Sequence, residues 1–194
     1  ESLTDMDLIL TLLTIIMTAA TPLLLAALGE MVTERAGVLN LGVEGMMVMG
    51  AVAGFGGAFL TGNPWFGVAA SVLAGMVMSL LFGFLTLTLL ANQVATGLAL
   101  TLLGLGLSAL IGESFVGQPG VKLPSLAGID PLVPFSVAMV VAVSWFLFRT
   151  RMGLVIRAVG NSHASAHALG YNVIGVRYLS VLFGGAMSGL AGGY

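Results

Sequence analysis

The sequence predicts an all-α protein, a polytopic transmembrane helical bundle, and three observations carry that prediction. With 58% hydrophobic and only 7% charged residues, and a mean hydropathy of +1.11, the chain has too little polar surface to cover a soluble globule. Apolar runs of roughly 20 residues recur, the length that crosses a hydrocarbon core of about 30 Å at about 1.5 Å per residue. The breaks between these runs are short and rich in Gly, Asn and charged residues. At 194 residues the chain accommodates about five full spans plus part of a sixth.

The first span is expected over 7–28, with Pro22 removing one backbone donor and kinking the helix. A short polar break at 29–35 leads into a second span over 36–60. Its density of glycines, among them Gly37, Gly42, Gly45 and Gly50, points to a broken or closely packed helix rather than a lipid-facing rod. The turn around Gly62, Asn63 and Pro64 precedes a third span over 65–90. There Gly67, Ser71, Gly75, Ser79 and Gly83 recur every fourth residue and form a small-residue ridge for close helix approach. Asn92 and Gln93 open the fourth span, which runs to 111 with its own ridge of Gly104, Ser108 and Gly112. A polar loop over 113–130 follows, then a fifth span over 131–148 and a sixth beginning at Arg177 or Tyr178. Glu1 stands where an initiator Met would be, and the final apolar run has no polar flank before Tyr194. The chain therefore reads as one transmembrane domain, 1–194, truncated at both ends.

Charge orients the bundle. Placing 149–177 in the cytoplasm also puts the 29–35 break there, which keeps Arg35, Arg149, Arg151, Arg157 and Arg177 inside and leaves Lys122 outside. The N-terminus, the Gly62 turn and the 113–130 loop are then extracytoplasmic. Other classes fall away on composition: with Cys 0 there is no disulfide framework, thiol nucleophile or thiolate metal site. A net charge of -2 is too small to point to nucleic acid.

Polar residues at membrane depth mark the first candidate site. Asn40 and Glu44, four apart, are expected to share one helix face, and Asn92 and Gln93 open another span from the same side. Such groups normally face a bundle interior or a water-filled path. Two readings stand: a substrate pathway through Asn40, Glu44, Asn92 and Gln93, or a structural hinge in which Asn40 bonds a neighbouring helix and Glu44 caps a half-helix or pairs with Arg35.

The long polar connection 149–177 is patterned. Asn161 or Ser162 can cap a short helix that Gly170 ends in the left-handed conformation, and 153–159 can form a second. Paired short helices of this kind are either a docking surface or an amphipathic loop lying at the headgroups. His163 and His167 have the spacing of zinc ligands, but no third ligand is near in sequence, so they read as solvated or partner-facing. The only Lys, Lys122, is outside any phosphate-binding loop context. Gly104, Gly106 and Ala109 fit a loose dinucleotide pattern inside an apolar span, which reads as helix packing. The residues point to no catalytic group, no metal and no cofactor.

Four blocks of sequence resemble permease subunits of bacterial ATP-binding cassette importers for nucleosides and simple sugars, relatives of the branched-chain amino acid and ribose-type permeases. They are ATPLLLAALGE at 20–30, ERAGVLNLGVEGMMVMGA at 34–51, NQVATGLALTLLGLGLSALIG at 92–112 and RTRMGLVIRAVGNSHASAHALGYNV at 149–173. The resemblance implies a type II importer fold and a multi-pass place in the bacterial inner membrane. It also implies assembly with a second permease subunit, cytoplasmic ATPase subunits and an extracytoplasmic substrate-binding protein, with membrane lipid around them. ATP hydrolysis would then lie on another subunit. On this basis Arg157, Ala158, Gly160, Asn161, Ala164 and Gly170 belong to a coupling loop that docks on the ATPase. Where family members often carry acidic residues after the Gly-Asn pair, this chain has Ser162, His163, Ser165 and His167. The competing reading is a secondary carrier or channel using Glu44 for proton or cation coupling, and a third is a scaffold subunit with no path of its own.

Overall fold

The computed structural model describes residues 2–120 and 130–194, and all regular structure within them is helical. Six helices are long and apolar enough to cross a membrane. In chain order the helices are α1 (Ser2–Arg35), α2 (Val43–Thr61), α3 (Pro64–Gly83), α4 (Gln93–Gly112), α5 (Leu132–Arg149), α6 (Arg151–Asn161), α7 (His163–Ala168) and α8 (Val173–Gly193). A π-helical turn, Phe84–Thr88, extends α3, and a 3-10 turn, Glu113–Phe115, extends α4. Lys122 and the rest of 121–129, half of the 113–130 loop, lie outside the described residues.

Several boundaries differ from those the sequence predicts, the first helix already beginning at Ser2. The helix continues through 29–35, because Leu25, Leu28 and Val32 keep one buried face going across the charged residues. The break therefore lies at 36–42. Within it the Gly37 N–H donates to Glu34 O at 2.9 Å and the Val38 N–H to Thr33 O at 3.2 Å, the paired bonds of a Schellman stop, with Gly37 at φ +85°. The last helix starts at Val173 rather than near Arg177, since Asn172 caps it by accepting from the Gly175 N–H at 3.0 Å. Its 21 residues make it a sixth full-length candidate span instead of part of one.

Helix α8 is the centre of the bundle, packed on α1, α2 and α3. Small residues set these crossings. The α3 ridge is buried from Gly67 to Gly83 as its spacing predicts; a Cβ on Gly75 would overlap Gly185 O, and one on Gly67 would lie 2.6 Å from Gly54 O. Across α1 and α8 the Thr33 hydroxyl donates to Ser180 O at 3.1 Å, beside Gly29, whose Cβ would meet Gly184 O at 3.0 Å. Helix α4 lies against α2, where Gly104 faces Gly45 backbone to backbone. This is close helix packing, as the sequence suggests for the Gly104 region, and backbones can meet only where side chains are absent.

These contacts gather the connections at two ends. The 36–42 segment, the α3–α4 link and the α6–α7 pair share one end, with all five arginines on or beside it. The Gly62 turn and the start of the 113–130 loop share the other.

Candidate functional site

The 36–42 segment is where the first set of polar candidates meets. Asn40 is 3% exposed and belongs to this non-helical stretch, so it does not share a helix face with Glu44. Its Oδ1 accepts from the Gly42 N–H at 2.8 Å, its Nδ2 donates to Met46 Sδ at 3.6 Å, and its own N–H donates to Glu30 Oε1 at 3.4 Å. Gln93 reaches the same segment from α4, accepting from the Leu39 N–H at 3.0 Å. Thr101 adds a hydroxyl 3.2 Å from Leu41 O. Gly97 lets α4 come this near, for a Cβ there would stand 2.9 Å from Leu41 N.

The other two candidates are placed differently. Asn92 is exposed and caps α4, accepting from the Ala95 N–H at 3.0 Å. Glu44 is exposed in the first turn of α2, where the free N–H groups of a helix start favour a carboxylate. The structure thus joins Asn40 and Gln93 on one segment, spends Asn92 on a helix cap and turns Glu44 outward. Glu30 was not expected in this group. Its signal was present in the apolar periodicity that carries α1 past it, which places a carboxylate on a helix rather than in a loop.

The second candidate region, 149–177, folds as a capped unit. Thr150 caps α6 by accepting from the Gly153 N–H at 3.1 Å, and Ser162 caps α7 by accepting from the Ser165 N–H at 3.3 Å. Gly170, at φ +89°, ends α7 with the same paired bonds as at Gly37: its N–H to His167 O at 3.0 Å and the Tyr171 N–H to Ala166 O at 3.2 Å. Val159, Ala166 and Val173 form a small apolar core that holds α6, α7 and the start of α8 together. Ala158 O accepts from the Ser162 N–H at 3.0 Å, closing the corner between the two short helices. Outside that core, Asn161, His163, Ala164, His167, Leu169 and Tyr171 are exposed. Among the described residues no group of three or more His, Cys, Asp or Glu is placed to hold a metal.

Arginines tie this unit to the rest of the bundle. The guanidinium of Arg157 lies 5.2 Å from the Phe148 ring centroid and that of Arg35 lies 5.6 Å from the same ring, within the range of cation–π attraction. Arg177, which in sequence marks only a helix boundary, donates from Nε to Ala36 O at 3.1 Å. Gly160 packs against the backbone of Arg35 and Gly37.

Comparison with known proteins agrees with this architecture. Residues 12–194 match the family described as branched-chain amino acid transport system, permease component. The chain is 41% identical to a putative glucose ABC transporter permease of Haloferax volcanii over 91% of its own length and 59% of the relative's. It is 33% identical to a guanosine ABC transporter permease of Bacillus subtilis, over 90% and 63%. A nucleoside ABC transporter permease of Lactococcus lactis is 30% identical, over 89% and 63%. The chain spans about three fifths of the length of these relatives. No solved structure matches it. Six apolar helices around a small-residue core, read together with this match across nearly all of the sequence, make the chain a multi-pass membrane protein of the branched-chain amino acid transport system permease family.

Proposed function

We propose that the chain is the membrane-spanning permease part of an ATP-driven importer that moves a nucleoside or simple sugar handed over by an extracytoplasmic binding protein. The observation that carries this is the set of relatives named for glucose, guanosine and nucleoside transport at 30–41% identity over about nine tenths of the chain. The fold supports it through the α6–α7 pair, a capped unit whose exposed outer surface includes Leu169 at 76% exposed and continues onto Ile174 at the start of α8, 52% exposed. An ATPase subunit docked there has a stiff lever to push. In this reading 149–177 is the coupling loop within a single permease domain, and the arginine end faces the cytoplasm of a bacterial cell. A second permease subunit completes the pathway.

Gln93, Asn92 and Glu44 line the cytoplasmic mouth of that pathway, and the buried Asn40 shapes the turn behind them. Weak contacts are sufficient there, because a solute delivered by a binding protein must also leave. Within this chain Glu44 is exposed at a helix start, and what separates the importer from a gradient-driven carrier is the energy source. The test is uptake into vesicles by the full-length protein with its partner subunits. ATP-dependent accumulation of a nucleoside or sugar is expected, and accumulation driven by a proton or sodium gradient without ATP would overturn the reading. Ala166→Pro removes the Ala166 N–H bond to Ser162 O inside α7. It should abolish solute-stimulated ATP hydrolysis while the assembled transporter still purifies.

A further inference from the structure

Seven residues, 36–42, carry the chain from α1 to α2 without forming a helix, and the segment is gripped at both of its ends. At the first end Arg177 Nε donates to the carbonyl of Ala36, a residue with no exposed surface. Gly160 of α6 meets the same stretch with nothing between the backbones: a Cβ on Gly160 would overlap Arg35 O and lie 3.2 Å from Gly37 N. Gly37 returns the contact, since a Cβ there would lie 3.2 Å from Gly160 Cα and 3.0 Å from Arg177 Nη2. At the second end the Leu39 N–H is held by Gln93 and the Gly42 N–H by Asn40.

Backbone pressed on backbone leaves no soft side chain to absorb a displacement, and packed interiors transmit strain for that reason. A charge-assisted hydrogen bond from a planar guanidinium adds a directional hold that a lysine does not reproduce. The side chains on the Leu39 and Gly42 amides then receive whatever motion the first end is given. Only three residues separate Ala36 from Asn40, too few for slack in a chain already turned by a left-handed glycine.

We infer that Gly160, on α6, and Arg177, on the first turns of α8 that the Val159, Ala166 and Val173 core joins to the α6–α7 pair, are positioning residues that tie this unit to the 36–42 segment, so that a displacement of the pair is delivered to the contact of Asn40 and Gln93 with that segment. This rests on the reading of α6–α7 as the surface an ATPase moves. Arg177 supplies the directional bond and Gly160 the close approach.

The experiment uses the full-length transporter with its ATPase in lipid bilayers and follows amide hydrogen exchange with and without bound nucleotide. The Leu39 and Gly42 amides report the second end of the segment, and those of 163–170 report the coupling loop. In the unaltered protein nucleotide should change exchange in both. Arg177→Met keeps length and removes the donor; it should leave the response at 163–170 intact, erase that at 39–42, and lower solute moved per ATP hydrolysed by about tenfold, a typical coupling between sites. Arg177→Lys should recover part of the loss, which separates positioning from a general loss of stability that lowers transport and hydrolysis together. Gly160→Ala should act in the same direction, and where that variant does not assemble Arg177→Met decides. A nucleotide response at 39–42 that survives in Arg177→Met, or an unchanged ratio of transport to hydrolysis, would overturn the inference. A response at 163–170 with none at 39–42 in the unaltered protein overturns the link alone. No response at 163–170 overturns the docking role itself and the link with it.

Discussion

The two ends of the bundle share one kind of hold and differ in what is added to it. At the arginine end the connections close on hydrogen bonds that side chains accept from backbone N–H groups: Asn40 from Gly42, Gln93 from Leu39, Asn92 from Ala95, Thr150 from Gly153, Ser162 from Ser165 and Asn172 from Gly175. The other end has such bonds too, Asn63 accepting from the Trp65 N–H at 3.0 Å and Asp130 from the Leu132 N–H at 2.9 Å, and adds rings. Phe55 lies 5.8 Å from Phe115 and Phe59 lies 5.9 Å from it, edge to face, beside cavities of about 350 and 640 Å³. Hydrogen bonds fix angle as well as distance, whereas rings fill space with a weaker preference for geometry. Among the described residues the arginine end carries more of the bonds that fix angle, and the other end more ring contact and open space.

The largest expected difference between the ends is all or none. Single cysteines introduced at exposed Gln118 and exposed Ala164, in a chain with no other thiol, should react with an impermeant reagent from opposite sides of the membrane. Reaction of both from one side would remove the two-ended arrangement. Next in size is a pair of glycines that share a backbone conformation but not a neighbourhood. Gly37 and Gly62 have φ of +85° and +69°, yet a Cβ on Gly37 meets Arg177 and Gly160 while one on Gly62 meets nothing within 4 Å. Gly62→Ala should cost roughly 1–2 kcal/mol from the left-handed backbone alone. Gly37→Ala should cost a further ~1–3 kcal/mol from overpacking, read as a clearly lower thermal midpoint of the purified transporter. Equal midpoints would mean that the arginine end is no tighter than the other.

Asn40→Ala leaves the Gly42 N–H without its partner in a buried turn and should cost about 1–3 kcal/mol, with uptake falling more than solute affinity at the binding protein. Phe115→Leu at the ring end should cost only about 0.5–1.5 kcal/mol, and a larger loss than that of Asn40→Ala would reverse the ranking of the two ends. Smallest is Glu44→Gln. An exposed carboxylate at a helix start contributes roughly 0.3–1 kcal/mol, so stability should barely move and ATP-driven uptake should persist in part. Collapse of uptake would revive the cation-coupling alternative.

Much of the fold was legible in the sequence because one physical term dominates it. Five full apolar spans with part of a sixth, the α3 ridge and the left-handed Gly170 follow from hydropathy, fourfold spacing and local backbone preference, while the full length of the last span depended on where Asn172 caps it. The boundary between α1 and α2 was not. Glu30, Glu34 and Arg35 look like a polar break, but the helix persists because Leu25, Leu28 and Val32 bury one side of it. For the candidate site, the block at 34–51 and Gln93 were recognisable as unusual polar sequence in an apolar chain. That Asn92 is a cap, that Glu44 faces out and that Glu30 reaches Asn40 depend on helix phase and on where the turn begins.

Composition and periodicity by themselves determined that the chain is a helical membrane protein, which helices have ridges of small residues, and which polar residues are exceptional. These are properties of each residue against its solvent or its neighbours three and four places along. Tertiary structure alone decided which ridge meets which, that α8 lies at the centre, and that Gly160 and Arg177, 123 and 141 residues from their contacts at Gly37 and Ala36, close on one turn. Gly160 and Arg177 lie on separate helices and their partners on the turn that follows a third, and no local preference encodes an encounter that arises only when those helices pack.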